Sequence, residues 1–164
     1  MRILHLSASF PRHPDDPVAP FLIDLVEGQA AHGWAPSVVA VHDAGLPSRH
    51  EVVGVPVRRV RYAPSRWEVL AYRGGGHGGL RSPVHALLLP GLVVALAVAT
   101  RREVRRVRPD VLHAHWILPG GLVAAIVTAS LPRRHRPRLV LTMHGTDVEL
   151  AAGKLKPLAR MVVR

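Results

Sequence analysis

Short apolar runs alternate with polar or proline-rich segments along most of this chain. "RILHLS" at residues 2–7 predicts a buried strand, and the four prolines of the following "ASFPRHPDDPVAP" exclude regular structure. Apolar residues then recur at helical spacing from about Ala19 to Ala30, with Phe21 among them, and His32-Gly33 is typical of a helix end. "SVVAV" and "VPVRRVRY" predict two further strands. This order of elements predicts a right-handed βαβ unit.

The second half of the chain repeats the alternation of strands and helices. Five glycines between Arg73 and Leu80 predict a mobile loop. It is not a phosphate-binding loop, because the segment lacks the Lys-Ser/Thr that ends such a loop. A helix from about Val84 runs into "RREVRRVRP", and then "DVLHAHW", "ILPGGLVAAIVTAS" and "RLVLT" predict a strand, a helix and a strand. The whole order predicts one α/β domain: a Rossmann-like open, mainly parallel sheet with helices on both faces.

Composition narrows the possible partners. The net charge is +11, which favours anionic partners such as nucleic acid, an acidic membrane surface or phosphorylated ligands, although arginine richness can also reflect the base composition of the coding DNA. The few aromatic residues are scattered and form no stacking array, so we expect no nucleic-acid partner. The absence of cysteine excludes disulfides and thiolate metal sites.

Two apolar segments could concern a membrane. The N-terminal stretch does not have the pattern of a signal peptide, and the longest apolar run does not have that of a membrane-spanning helix. The N-terminal stretch is interrupted by His5 and Ser7. The longest apolar run, "HALLLPGLVVALAVAT", is short and contains Pro90-Gly91. We therefore predict that this run is a buried or surface-lying helix.

Three polar clusters follow predicted strands: the loop from Ser7 to Phe21, His113–Trp116, and His144–Asp147. Ligands of doubly wound sheets bind at the carboxyl ends of the strands, and the carboxyl ends of parallel strands share one edge. The sequence therefore predicts that the three clusters meet at one rim of the sheet.

His144 is the strongest candidate for a functional side chain. An isolated histidine at a strand end can simply bond to the backbone, with Asp147 capping the next helix. Here Gly145 permits close approach of the backbone, and Thr146 and Asp147 add polar groups. Together with the two other clusters, this favours a ligand-binding role.

His113 and His115 lie two residues apart on one strand and therefore on one face. That spacing can place two imidazoles on one metal ion, with His144 as a third ligand, so a metal-dependent hydrolase is an alternative. No acidic residue follows at ligand spacing, and the hydrolase barrels that use His-x-His need a longer chain. We expect no metal, with His113 in the core and His115 and Trp116 nearer the rim.

Gly120 and Gly121 open the helix that follows "HAHW". Their amides could face an anion, because helix N termini favour negative charge. Alternatively, they form a tight strand-to-helix turn. The sequence does not decide between the two.

Three segments together resemble the N-terminal domain of the family-four glycosyltransferases, retaining enzymes of the GT-B fold that use nucleotide sugars. The segments are "RILHLSASFPR…DPVAPFLIDLVEGQAAHG", "RPDVLHAHWILPGGLVAA" and "LVLTMHGTDV", in the order and spacing of the family. The resemblance implies that residues 1–164 are the acceptor-side half of a two-domain enzyme. We expect the chain to be truncated at its C-terminal end, without the donor-binding domain.

The resemblance also implies roles for residues of the three clusters. The histidine that ends the last strand, His144, lies beside the transferred sugar and is the catalytic candidate. The residues implied in acceptor or donor binding are Phe10, Asp16, Pro17, Val18, Ala19, His115, Trp116, Gly145, Thr146 and Asp147. Many family members carry a Gly-Gly pair in the first loop, where this chain has residues 16–20, "DPVAP". The phosphate contacts of this loop are therefore not fixed by the resemblance.

The function predicted from the resemblance is transfer of a sugar, of hexosyl or similar type, from a nucleotide-diphosphate sugar to a glycan, lipid or small-molecule acceptor. No cofactor or divalent metal is expected, because protein dipoles and cations stabilise the leaving diphosphate in this fold. We expect the isolated chain to be inactive. The alternative is a non-catalytic carbohydrate- or anion-binding module, or the remnant of a truncated gene.

The arginine-rich surface and the apolar helix near residues 85–100 suit an enzyme that lies on an acidic membrane. The expected location is the cytoplasm, with peripheral contact at the inner face of the membrane.

Overall fold

A six-stranded, mainly parallel sheet forms the centre of the protein. The computed structural model describes residues 1–72, 87–145 and 147–148. The strands are β1 (Arg2–Ser7), β2 (Ala35–Val41), β3 (Arg49–Val52), β4 (Val55–Val60), β5 (Val111–His115) and β6 (Arg138–Thr142). They lie in the order β3-β4-β2-β1-β5-β6, and only the β3–β4 pair is antiparallel. The predicted α/β, Rossmann-like fold is confirmed.

Helices cover both faces of the sheet, as predicted. They are α1 (Phe21–Ala31), α2 (Leu89–Val107) and α3 (Leu122–Ala129). Alternate residues of each strand point to opposite faces. On β1, Leu4 and Leu6 pack with α2 and α3, whereas His5 lies under α1. The sheet therefore separates an apolar layer from a layer that contains polar groups.

Helix α1 follows its predicted pattern except at its first residue. The amide of Gly33, at φ 74°, donates to the carbonyl of Ala30, so the predicted glycine end of the helix is confirmed. Leu22 and Val26 are buried, but the side chain of Phe21 is 41% exposed. Phe21 therefore shares the helical spacing without sharing the burial, and its ring lies 4.7 Å from that of His144.

One strand was missed by the pattern of the sequence. Strand β3 has only four residues and turns directly into β4 through Val53 and Gly54, both at positive φ. Two consecutive residues at positive φ are typical of a tight hairpin. The β3–β4 hairpin forms one edge of the sheet, and β2 and β1 lie between it and β5.

Helix α2 contains most of the longest apolar run. It begins at Leu89, with Pro90 in the first turn where proline is tolerated, and ends before Arg108 at φ 47°. The predicted start near Val84 and the predicted glycine-rich loop lie outside the described residues. Within the described part of the chain, no helix combines the length and apolarity needed to cross a bilayer.

Candidate active site

The three polar clusters meet at one edge of the sheet. Strands β1, β5 and β6 are adjacent and parallel, so the segments after them leave the sheet side by side. Nε2 of His144 lies 3.1 Å from Nδ1 of His115, and the ring of His144 lies 4.6 Å from that of Trp116. Phe21, where the first loop ends, lies 4.7 Å from His144 on another side. The predicted convergence is therefore present.

Asp16 shapes the first loop from within. Its carboxylate is buried and accepts hydrogen bonds from the backbone and guanidinium of Arg12 and from the amide of Val18. Burial alone would raise the pKa of this carboxyl, but these hydrogen bonds outweigh burial and hold the pKa below its usual value. Asp16 was predicted to contact a ligand, yet its oxygens are engaged inside the loop.

The other predicted residues of the first loop differ in their access to solvent. Phe10 is buried in the core next to α1, so its aromatic ring supports the loop from below. Pro17 is exposed, and Val18 and Ala19 are half-buried. Of the predicted contacts in this loop, only Pro17, Val18 and Ala19 present surface to a ligand.

Arg59 anchors the start of the same loop and was not singled out from the sequence. This arginine of β4 is buried, and its guanidinium donates to the carbonyls of Phe10 at 2.9 Å and Pro11 at 2.5 Å. The hydroxyl of Tyr72 also donates to the carbonyl of Phe10. The available signal was an arginine within a strand that is otherwise mainly apolar, because a buried arginine needs several acceptors.

The turn between β5 and α3 is tight. Trp116 has φ 61°, and its carbonyl accepts the amide of Gly121 at 2.9 Å. A Cβ added at Gly120 would lie 2.3 Å from the carbonyl oxygen of His115. Of the two readings left open for this glycine pair, the structure therefore has the tight turn.

Asp147 joins the turn after β5 to the turn after β6. Its buried carboxylate accepts the amides of Ile117 and His144, each at 2.8 Å. Asp147 therefore positions His144, although it was predicted to contact a ligand. Gly145 is exposed at φ 59°, a backbone conformation that favours glycine. Thr146 lies outside the described residues.

The two histidines of β5 differ in burial in the opposite sense to the prediction. His115 is only 1% exposed, whereas His113 is half-buried and bonds through Nε2 to the hydroxyl of Thr142 at 2.7 Å. The prediction that His113 lies in the core was wrong. His115 lies nearer the rim, as predicted, but it is buried there and not open to a ligand. The reason is that His115 is covered by the rings of Trp116 and His144 beyond the strand end and by His5 beside it.

A line of hydrogen-bonded side chains connects α1 to His144. Oε1 of Gln29 lies 2.8 Å from Nε2 of His5, and Nδ1 of His5 lies 3.0 Å from Nε2 of His115. His115 then reaches His144, as described above. Gln29 and His5 were not predicted from the sequence to belong to the site. The signal for His5 was its register, since parallel pairing of β1 with β5 places it opposite His113.

The imidazoles of this line are held neutral. Burial, opposed by the hydrogen bond of Gln29 and aided by nearby His113, lowers the pKa of His5 to about 4. Burial, aided by the neighbouring histidines, lowers the pKa of His115 to about 2. Burial also lowers the pKa of His144, although Asp147 opposes it. A neutral imidazole has one donor and one acceptor, as a continuous hydrogen-bonded line requires.

A metal ion could compete for the same histidines. Among the described residues, His5, His113 and His115 offer ring nitrogens within 4.8 Å of one another, and neutral imidazole is a good metal ligand. However, both ring nitrogens of His5 and His115 are engaged in the line, and Nε2 of His113 bonds to Thr142. Bound metal would have to replace these hydrogen bonds.

Comparison with known proteins identifies the family. Residues 18–164 match the protein family described as the glycosyl transferase 4-like domain. The chain belongs to this family. A relative with a shorter match is the TuaC protein of Bacillus subtilis (strain 168), named as a teichuronic acid biosynthesis glycosyltransferase. TuaC is 36% identical over 73 residues, which make up 42% of this chain and 18% of TuaC.

Solved glycosyltransferases share the fold of this family member. Sucrose-phosphate synthase of Thermosynechococcus elongatus aligns with 98% of the chain and 38% of its own length, at a TM-score of 0.60 and 16% identity. SsfS6 of Streptomyces sp. SF2575, solved with thymidine diphosphate, aligns with 96% of the chain and 44% of its own length, at a TM-score of 0.51 and 21% identity. The chain thus spans less than half of each of these two solved chains.

Proposed function

We propose that this domain forms the acceptor-side wall of a retaining glycosyltransferase, which moves a sugar from a nucleotide-diphosphate sugar to a glycan, lipid or small-molecule acceptor. Family membership supports glycosyl transfer in general. The observation that carries the proposal is the position of His144: a half-buried imidazole at the carboxyl edge of the sheet, between the rings of Phe21 and Trp116.

His144 would act as a neutral hydrogen-bonding partner of the donor sugar. Asp147 fixes its backbone and His115 fixes its ring, so the imidazole is oriented before a ligand arrives. Phe21 and Trp116 would supply the apolar contact area that binding sites commonly combine with a few polar groups. Because its pKa is lowered, His144 offers a hydrogen bond at neutral pH and carries no full charge.

The proposed reaction needs no general base from this domain. The bond between the anomeric carbon and the phosphate oxygen breaks, and a bond from that carbon to the acceptor oxygen forms on the same face of the sugar. The acceptor proton passes to the departing phosphate oxygen. Protein cations and dipoles would stabilise the diphosphate, so the proposal includes neither a metal ion nor a cofactor.

The nucleotide-sugar donor would be held mainly by a second Rossmann-like domain. The chain spans only 18% of TuaC and less than half of the two solved enzymes, so the activity of a whole transferase is proposed for the two domains together. We expect residues 1–164 alone to give negligible transfer, because one wall of the cleft would be absent. Robust turnover by this chain with a nucleotide sugar would contradict that expectation.

Replacing His144 with alanine tests the proposal in the intact two-domain transferase. We expect kcat/KM to fall about 100- to 1,000-fold, the range for losing one preorganised hydrogen bond that acts in the transition state. The measurement is initial-rate transfer from a nucleotide sugar, with circular dichroism to monitor folding. The matched control is His135→Ala, because His135 is exposed and precedes the opposite end of β6.

The outcomes of this test separate the two functions considered. An unchanged rate in His144→Ala would exclude His144 from the mechanism. Binding of sugar without transfer, in a protein that contains both domains, would favour the non-catalytic carbohydrate-binding module instead.

We also propose a cytoplasmic location with peripheral attachment to the inner face of the membrane, through α2 and Leu87, which lies just before it. Leu87 is 80% exposed and Val94 62% exposed, and Arg102 and Arg105 are exposed further along α2. Apolar side chains beside cations favour the surface of an anionic bilayer.

The membrane proposal predicts preferential binding to vesicles that contain anionic lipid. Cosedimentation with phosphatidylglycerol vesicles should exceed that with phosphatidylcholine vesicles, and Val94→Ser should weaken it. The control is Val140→Ser, a change at an exposed valine of β6. Equal binding to both kinds of vesicle would remove electrostatic attraction as the reason.

A further inference from the structure

A buried amide on α1 stands at the far end of the line of histidines. The other buried residues of this helix are apolar, for example Leu22 and Val26, yet Gln29 is also buried and faces His5. A buried amide without a hydrogen-bonding partner is unfavourable, so its position opposite an imidazole has a physical reason. His144 lies at the other end of the line, two rings away.

A line of neutral imidazoles has a direction. Each ring carries one N–H donor and one unprotonated nitrogen, so a bond that donates one way obliges its neighbour to donate the same way. In one direction, Nε2 of His144 donates to His115, Nε2 of His115 donates to His5, and Nε2 of His5 donates to Gln29. In the other direction every proton lies on Nδ1, and the amide N–H of Gln29 donates to His5.

The geometry selects the first direction, since Oε1 of Gln29 faces Nε2 of His5 at 2.8 Å and a carbonyl oxygen can only accept. We propose that Gln29 is a positioning residue, which sets the tautomer and ring orientation of His144 through His5 and His115. His144 then carries its proton on Nε2. The tautomer of His144 does not depend on the proposed function. Only the effect of this tautomer on sugar transfer rests on that function, which assigns the sugar contact to His144.

The consequence is chemical. A histidine protonated on Nε2 has an unprotonated Nδ1, whereas the opposite tautomer has an N–H at Nδ1. The two tautomers therefore have opposite hydrogen-bonding character at Nδ1. Residue 29, although it lies on α1 and contacts only His5 in the line, would decide which of the two is present.

Nitrogen-15 NMR of the ring nitrogens tests this proposal without any assay of turnover. In the unaltered protein at neutral pH, we expect His5, His115 and His144 all to show protonated Nε2 and unprotonated Nδ1. In Gln29→Met, which keeps the bulk but removes the acceptor, His144 should change to a mixture of both tautomers. Gln29→Glu, whose ionised carboxylate can only accept, should restore the single Nε2–H form.

The control is Glu27→Met, an exposed position on the same helix, where the tautomers should not change. A merely structural Gln29 would alter the midpoint of thermal unfolding in Gln29→Met but leave the tautomer of His144 as it was, and that result would overturn the proposal. Protonated Nδ1 on any of the three rings in the unaltered protein would also overturn it.

A bound metal would be a further contrary result. Elemental analysis of the purified protein, and addition of Zn²⁺ during the NMR experiment, reveal whether His5, His113 and His115 hold an ion. Stoichiometric metal would overturn the hydrogen-bonded line. Since the readout is the tautomer, failure of the transferase proposal would appear separately, as an unchanged rate in His144→Ala.

Discussion

Replacing Gly120 with alanine is expected to lower the free energy of unfolding by about 3 kcal/mol or more, the upper part of the range for forcing an extra methyl group into a packed interior. The added Cβ would lie 2.3 Å from the carbonyl oxygen of His115, and 3.4 Å from that of Leu6. Both atoms belong to the backbone of central strands, so no side chain can rotate away. The measurement is the urea concentration at the midpoint of unfolding. We expect this midpoint to fall, while the slope of the free energy of unfolding against urea concentration stays unchanged.

Gly28→Ala is the matched control for this change. Gly28 lies in α1, and a Cβ added there would meet no atom within 4 Å. Alanine in a helix is more favourable than glycine by about 0.5–1 kcal/mol, so this variant should be slightly more stable than the parent. If Gly120→Ala were as stable as Gly28→Ala, the close contact between Gly120 and the carbonyl of His115 would be disproved.

The sheet and its functional edge were largely predictable because they depend on the order of elements. The bounds predicted for β1 and β6 agree with the structure, and alternation of strands and helices implies parallel pairing. Parallel pairing then places the segments after β1, β5 and β6 at one edge. Strand β3 was not predictable in the same way, because four residues are too few to show a pattern.

The roles of the two acidic residues at the site depend on contacts that spacing does not reveal. Asp16 and Asp147 follow strands in the sequence, which places them near the cleft. However, their carboxylates bind backbone amides and Arg12, so they shape the two loops. Whether a carboxylate at a strand end faces a ligand or the backbone depends on the path of the loop, and the prolines of this loop exclude a regular path.

The line of histidines was partly within reach of the sequence. The pairing of β1 with β5 follows from the βαβ order, and a histidine in an apolar strand next to "HAH" could have indicated a cluster. Gln29 required more, since its contact depends on how α1 crosses the sheet. The burial of His115 likewise depends on the rings of Trp116 and His144, which lie outside the strand.

The protein should lose stability in mild acid, before its carboxylates are titrated. The pKa of His5 is about 4 in the folded protein, against an ordinary value of 6.5, and that of His115 is lower still, in both cases chiefly through burial. Between the folded and the ordinary pKa, the unfolded chain binds protons that the folded protein does not. The contribution of these histidines to the free energy of unfolding is therefore fully present above pH 6.5 and is lost as the pH falls towards 4. At roughly 1.4 kcal/mol per pKa unit, His5 alone accounts for about 3 kcal/mol.

Urea unfolding followed from pH 7 down to about pH 4.5 isolates this effect from the carboxylates. Asp16 and Glu103 have lowered pKa values in the fold, so they contribute to acid unfolding only below their ordinary values of 3.8 and 4.5. The side chain introduced in His5→Gln can still form hydrogen bonds to its neighbours. In this variant, the fall of the free energy of unfolding with pH should correspond to the uptake of about one proton fewer on unfolding. The exposed control His13→Gln should retain the full decline. If His5→Gln declined as steeply as the parent, His5 would not be a buried neutral member of the line that holds His144.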